Sequence, residues 1–131
     1  MKEIFAKGDT KTYSKIVSEN DIAQFENGVV HPVYSTFALA RDAEWSGRLF
    51  VLDMKENDEE GIGTHIHVTH ISPAFVGREI EIISTFEAIS DTFEILTSFE
   101  VFCEKRIIAK GTQGQKILKK EKINSIFEKL K

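Results

Sequence analysis

Between Pro32 and Leu52 the chain carries one long helical candidate with a stripe of small side chains, Thr36, Ala40, Ala43 and Gly47. Spacings of three and four residues place these groups on one helix face, where another backbone can approach closely. Proline suits a first helical turn but not a helix interior, so Pro32 marks the expected start. Four alternating segments follow with only short breaks. A helix of this kind has to be wrapped, and the strands that follow are the material for wrapping it.

The rest of the chain fits around that pair of features. Thr10 to Val17 reads as a strand after the turn Gly8-Asp9, and Ser18 to Asp21 as a helix start. Ile22, Ala23 and Phe25 continue it as a short amphipathic turn ended by Asn27-Gly28, and a mobile connector reaches His31-Pro32. Lys55 to Glu60 is a polar loop. Glu79 to Ile89 alternates with Ile80, Ile82, Phe86 and Ala88 on one side. Phe93, Ile95, Phe99, Val101 and Cys103 form the inward side of the next strand, and Ile107 to Leu118 the last one, loosened by Gly111 and Gly114. Glu121 to Lys131 closes the chain as a helix with Ile123, Ile126, Phe127 and Leu130 at helical spacing. The order predicts an α+β fold in which an antiparallel curled sheet of five or six strands wraps one long central helix. That is the hot-dog layout; the pattern by itself leaves other α+β sandwiches open.

Composition bounds the partners. At 131 residues the expectation is a single domain spanning 1–131, with 41% apolar and 29% charged residues, both ordinary for a globular chain. A net charge of −4 and no uninterrupted basic run speak against nucleic acid. No apolar run approaches a membrane span and Met1 to Lys7 is too short for a signal peptide, so a cytoplasmic location is expected. Cys103 is the single cysteine, which removes internal disulfides and cysteine-rich zinc sites. Its place in an alternating strand reads as a small buried filler.

Chemistry points to Gly61-Ile62-Gly63-Thr64-His65-Ile66-His67-Val68-Thr69-His70-Ile71-Ser72-Pro73, which holds three of the four histidines. At the two-residue period of a strand, Ile66, Val68 and His70 point one way and His65, His67 and Thr69 the other. The parity splits a histidine triplet that otherwise suggests a metal, and no metal or cofactor is expected. His70 shares the apolar face, where an imidazole requires a hydrogen-bond partner, since an unsatisfied buried polar group costs about 1–3 kcal/mol. Glu44, at the edge of the wrapped helix face, is a carboxylate that could orient it. Glu44 also has i±3 and i±4 spacing to Arg41 and Arg48, which would make it an ordinary surface ion pair. Thr36 precedes Glu44 by eight residues, about 12 Å along a helix. A backbone-capping role for its hydroxyl is the plain alternative.

The run from Gly63 to His70, followed by Ser72-Pro73 and Gly77, together with Thr36 and Glu44-Trp45 at matching distances, resembles the fluoroacetyl-CoA thioesterase family. The similarity extends from about Gly8 to Leu118. It implies hydrolysis of a small acyl-CoA thioester, with Thr36, Glu44 and His70 as catalytic set, Gly63 and Thr64 at the substrate, and a hot-dog homodimer with sites at the subunit interface. Pairing of dimers into tetramers is left open. Two departures bear on the acyl group rather than the reaction: Ser18 to Val33 is shorter and more polar than the family's lid segment, and the family has an arginine after the Gly-Thr of the last strand, where this chain reads Gly111-Thr112-Gln113-Gly114-Gln115. Two other readings remain: a non-catalytic acyl-CoA-binding module of the same fold, and a small metal-binding β protein using His65 and His67.

Overall fold

A computed structural model describes residues 1–131. Its elements are β1 (Thr10–Ile16), a 3-10 turn (Glu19–Asp21), β2 (Ile22–Phe25), β3 (Gly28–Tyr34), α1 (Thr36–Met54), β4 (Glu59–His70), β5 (Glu79–Ile89), β6 (Glu94–Cys103), β7 (Arg106–Lys119) and α2 (Lys120–Leu130). Five strands form one antiparallel sheet in the order β1-β5-β6-β7-β4, and β2 with β3 makes a separate hairpin. The long helix lies against the sheet as the small-residue stripe requires. No helix is long and apolar enough to cross a membrane.

The helix begins four residues later than proline spacing suggests. Pro32 sits in β3, a hairpin strand that tolerates a residue without an N–H. Ser35 is the N-cap instead, its hydroxyl accepting the Ala38 N–H at 3.0 Å. Ser18 does cap a helical turn, with a full capping box to Asp21, but the turn is only a 3-10 turn. Ile22 to Phe25 then extends into β2 rather than continuing as a helix, and the expected connector is the β2–β3 hairpin around Asn27-Gly28. Gly28, at φ 112°, supplies the conformation that this tight turn demands.

One apolar cluster packs Leu39 and Ala43 of α1 against Ile80, Ile82, Phe99 and Val101. A second packs Phe50, Val51 and Met54 against Phe86 and Ile95. Cys103 is buried. Two expected inward residues are not. Phe93 lies in the β5–β6 turn at φ 60° and is 69% exposed, and Ala88 is turned outward by a register shift beside Phe86.

The β2–β3 hairpin is tied to the helix by charges. Asp42 accepts Tyr34 Oη at 2.6 Å and Lys15 Nζ at 3.1 Å, while Asp21 pairs with Lys15 at 2.9 Å and Arg41 at 2.8 Å. Burial alone would raise the Asp21 carboxyl, yet the Ser18 backbone N–H, Arg41 and Lys15 together hold it well below the usual carboxylate range. The same network fixes the chain immediately ahead of Thr36, since the Ser35 N–H donates to the Asp21 carbonyl at 2.8 Å.

Candidate active site

β4 is one of the two edges of the main sheet and pairs only with β7. Its register breaks between Gly63 and His65, so Thr64 has no counterpart on β7. A bulge of one residue changes the pleat's phase. Gly61 and Gly63 face α1 before it, where an added Cβ would meet Val51 and Glu44, and after it Val68 and His70 face the same side, Val68 packing on the cluster that holds Leu39 and Ala43 and His70 meeting Thr36. Gly63 and His70, seven residues apart, therefore present the same face, which an unbroken strand forbids.

At the far end of β4, His70 Nδ1 and Thr36 Oγ1 share a hydrogen bond of 3.0 Å. Thr36 is free for this because Ser35 does the capping, so the plain backbone-capping role falls to its neighbour. The other ring nitrogen of His70, Nε2, is buried and has no protein partner. Desolvation lowers the His70 pKa from 6.5, with the Ser72 backbone acting in the opposite sense. The ring is thus poised as neutral imidazole.

Glu44 lies elsewhere along the strand. The helix arginines that might have claimed it are engaged by other acids, Arg41 by Asp21 and Asp42, and Arg48 by Glu60 at 2.8 Å. The Glu44 carboxylate instead rests on Gly63, where a Cβ would lie 3.3 Å from its Cδ and far inside contact distance of Oε1. Glu44 is exposed and makes no bond to His70 within the chain. The structure therefore groups these residues in two separate pairs, Thr36 with His70 and Glu44 with Gly63.

Thr64 joins neither. Its hydroxyl donates to Glu94 Oε1 beside His65, whose Nδ1 lies 3.1 Å from the same oxygen. Gly114 leaves room for that group, because a Cβ there would sit 2.7 Å from His65 Nδ1. His67 faces outward with Thr69 and Lys110 along a shallow depression of about 400 Å3. No three His, Cys, Asp or Glu side chains converge as a metal cluster would require.

Two residues that sequence reasoning passed over support the helix at this point. Gln113 and Gln115 of β7 are buried. Gln113 Nε2 donates to the Ala43 carbonyl at 2.7 Å, and Gln115 Nε2 to Gln113 Oε1 at 3.0 Å and the Glu44 carbonyl at 3.3 Å. At Gly47 the small stripe meets this amide pair: a Cβ there would come within 2.8 Å of Gln113 Oε1. Their signal in the sequence was an unusual one, two glutamines at inward strand positions.

An antiparallel sheet wrapped around one long helix is the hot-dog fold, and the comparisons with known proteins put this chain among the hot-dog thioester hydrolases. A Thermus thermophilus protein of the thioesterase superfamily is 28% identical over 98% of this chain and 94% of its own, with a TM-score of 0.92. A variant of the fluoroacetyl-CoA-specific thioesterase FlK gives 18% identity, coverage of 99% and 100%, and a TM-score of 0.88. A hot-dog-like protein from Thermanaerovibrio acidaminovorans gives 16%, 98% and 96%, and 0.87. No curated protein sequence matches significantly. The model of the fluoroacetyl-CoA-specific thioesterase family matches residues 17–121, and the chain belongs to that family.

Proposed function

We propose that the chain hydrolyses a small acyl-CoA thioester to the carboxylic acid and free CoA, using Thr36, Glu44 and His70 at the interface of a homodimer. The observation that carries this reading is His70, with Nδ1 held by Thr36 and Nε2 buried without a partner. When Nδ1–H donates to Thr36 Oγ1, Nε2 bears the lone pair and acts as general base. Water bonds to the thioester carbonyl carbon as its proton passes to Nε2, and the carbonyl electron pair moves onto oxygen. In the shared site described below, the backbone N–H groups of the partner subunit's Gly63 and the partner subunit's Thr64 donate to that oxyanion, a role the register break at this point of β4 supports. As the pair returns, the C–S bond breaks and the imidazolium protonates the thiolate. Glu44 stabilises the imidazolium while it carries the proton.

This role for Glu44 needs a second copy of the chain. Antiparallel pairing of two β4 edges that sets Gly63 of the partner subunit opposite His70 centres the twofold axis between Ile66 and His67. Each Thr36–His70 half-site then faces the partner subunit's Glu44. The open β4 edge and the 39% exposure of Ile66 support such pairing. Thiol release from a panel of short, branched, aromatic and halogenated acyl-CoAs tests the reaction, and release from none of them would overturn it. The shared site is tested by mixing two inactive variants, His70→Ala and Glu44→Ala. A heterodimer contains one intact site, so random exchange restores about a quarter of wild-type turnover. A mixture as inactive as its components refutes the shared site.

A further inference from the structure

The chain has four arginines. Arg41 is paired with Asp21 and Asp42, Arg48 with Glu60, and Arg78 with Glu104. Arg106 alone has no carboxylate. Its guanidinium donates to two neutral acceptors, Ser72 Oγ and, at 2.9 Å, the Pro73 carbonyl. Both belong to the loop that leaves β4 directly after His70.

This placement links a cation to the reacting end of the molecule. His70, Ile71, Ser72 and Pro73 border, with Val33, an open depression of about 240 Å3. His70 and both residues that hold Arg106 thus border one concavity. A guanidinium has five N–H donors in a planar fork, and two acceptors leave the rest of the fork free. Its charge is not neutralised by any acid on the protein, and its geometry suits phosphate. The neighbouring Lys105 is less suited: it borders a depression on the outer sheet face with Glu79, Glu81 and Glu104, where a phosphate meets like charge.

We infer that Arg106 binds a phosphate of the CoA moiety, the pantetheine arm passing along the depression beside His70. This rests on the acyl-CoA hydrolase reading given above. Ser72 and Pro73 act as the holders that aim the fork, and Arg106 takes no part in bond making.

The test compares wild type, Arg106→Gln and Arg106→Lys on one acyl group, the best from the panel, carried by CoA, by 3′-dephospho-CoA and by pantetheine. Loss of a charge-assisted contact predicts that Arg106→Gln raises KM for the acyl-CoA about 10-fold or more, with kcat little changed. The acyl-pantetheine, which carries no phosphate, is turned over equally by all three proteins, and Arg106→Lys falls between the other two on acyl-CoA. If the penalty persists with 3′-dephospho-CoA, the contact is to the pyrophosphate; if it vanishes there, to the 3′-phosphate. Either result supports the assignment. An equal loss on acyl-CoA and acyl-pantetheine overturns it and makes Arg106 a support of the Ser72–Pro73 loop. Unimpaired Arg106→Gln kinetics on every carrier also overturns it while leaving the hydrolase reading intact, because wild-type thiol release stands separately.

Discussion

Replacing Gly63 with alanine perturbs one thing in this chain. The residue has no left-handed φ, so the new side chain adds no backbone strain. Only Glu44 stands near the added Cβ, with Cδ at 3.3 Å and Oε1 closer still. Carbon and oxygen rest near 3.5 Å, so the carboxylate has to withdraw by more than about 1 Å. Glu44 is an exposed, flexible side chain, so the move costs little stability. Its effect on catalysis is larger, because a misplacement of about 1 Å can cost about 100-fold in rate. We expect kcat/KM in a thiol-release assay to fall by about that factor, with a melting temperature within a few degrees of wild type. The assignment to Glu44 is checked by a cycle: adding Gly63→Ala to Glu44→Ala should cost almost nothing further. Full activity in Gly63→Ala, or an undiminished further loss in the Glu44→Ala background, refutes the working contact between these residues.

Thr36→Val removes a hydroxyl at nearly constant volume and leaves the Ser35 cap in place. It should lower kcat/KM about 10-fold or more with little change in thermal stability, and Thr36→Ser should restore most of the loss; equal activity of the valine and serine variants counts against the His70 contact. The pH dependence follows from the lowered His70 pKa, whose main cause is desolvation. Activity should fall on the acid side as His70 takes up its proton; desolvation within the chain moves that limb below pH 6.5 and the partner subunit's Glu44 moves it back up, so an NMR titration of His70 should give a lower pKa in Glu44→Ala than in wild type, and equal values contradict the shared site. For stability the sign is the same. Between the unfolded value near 6.5 and the lower folded value the unfolded chain binds more protons, so stability declines as pH falls through that window. Denaturant titrations of His70→Gln should lack that part of the slope.

The central helix, the four strands after it and the closing helix were legible because each spans ten or more residues and keeps its period through most of them. The residues Ser18 to Tyr34 were not. A true capping box at Ser18 invited a helix, but it commands a single turn, and Asn27-Gly28 was acting as a hairpin corner rather than a helix stop. Within the site, parity correctly put His70 inward and His65 and His67 outward. Parity also implied that Gly63 and His70 face opposite ways, since no residue type announces a bulge at Thr64. Nor does sequence spacing tell that Ser35 caps the helix and so releases Thr36 for His70. That assignment depends on where the hairpin delivers the chain, which the Asp21, Asp42 and Tyr34 contacts decide.

The bulge at Thr64 makes the site a matter of counting. A strand's facing is a two-valued quantity, and each inserted or deleted residue reverses it. Between Gly63 and His70 the chain spends one residue out of step, so both reach the helix side together. Deleting Thr64 would leave Thr36, Glu44 and His70 in the polypeptide and still turn one end of the strand to the wrong side. Removing two residues would keep the orientation and merely shorten the reach. Length variation in this strand is therefore tolerated in even steps, which gives β4 a reading frame of its own, with a period of two.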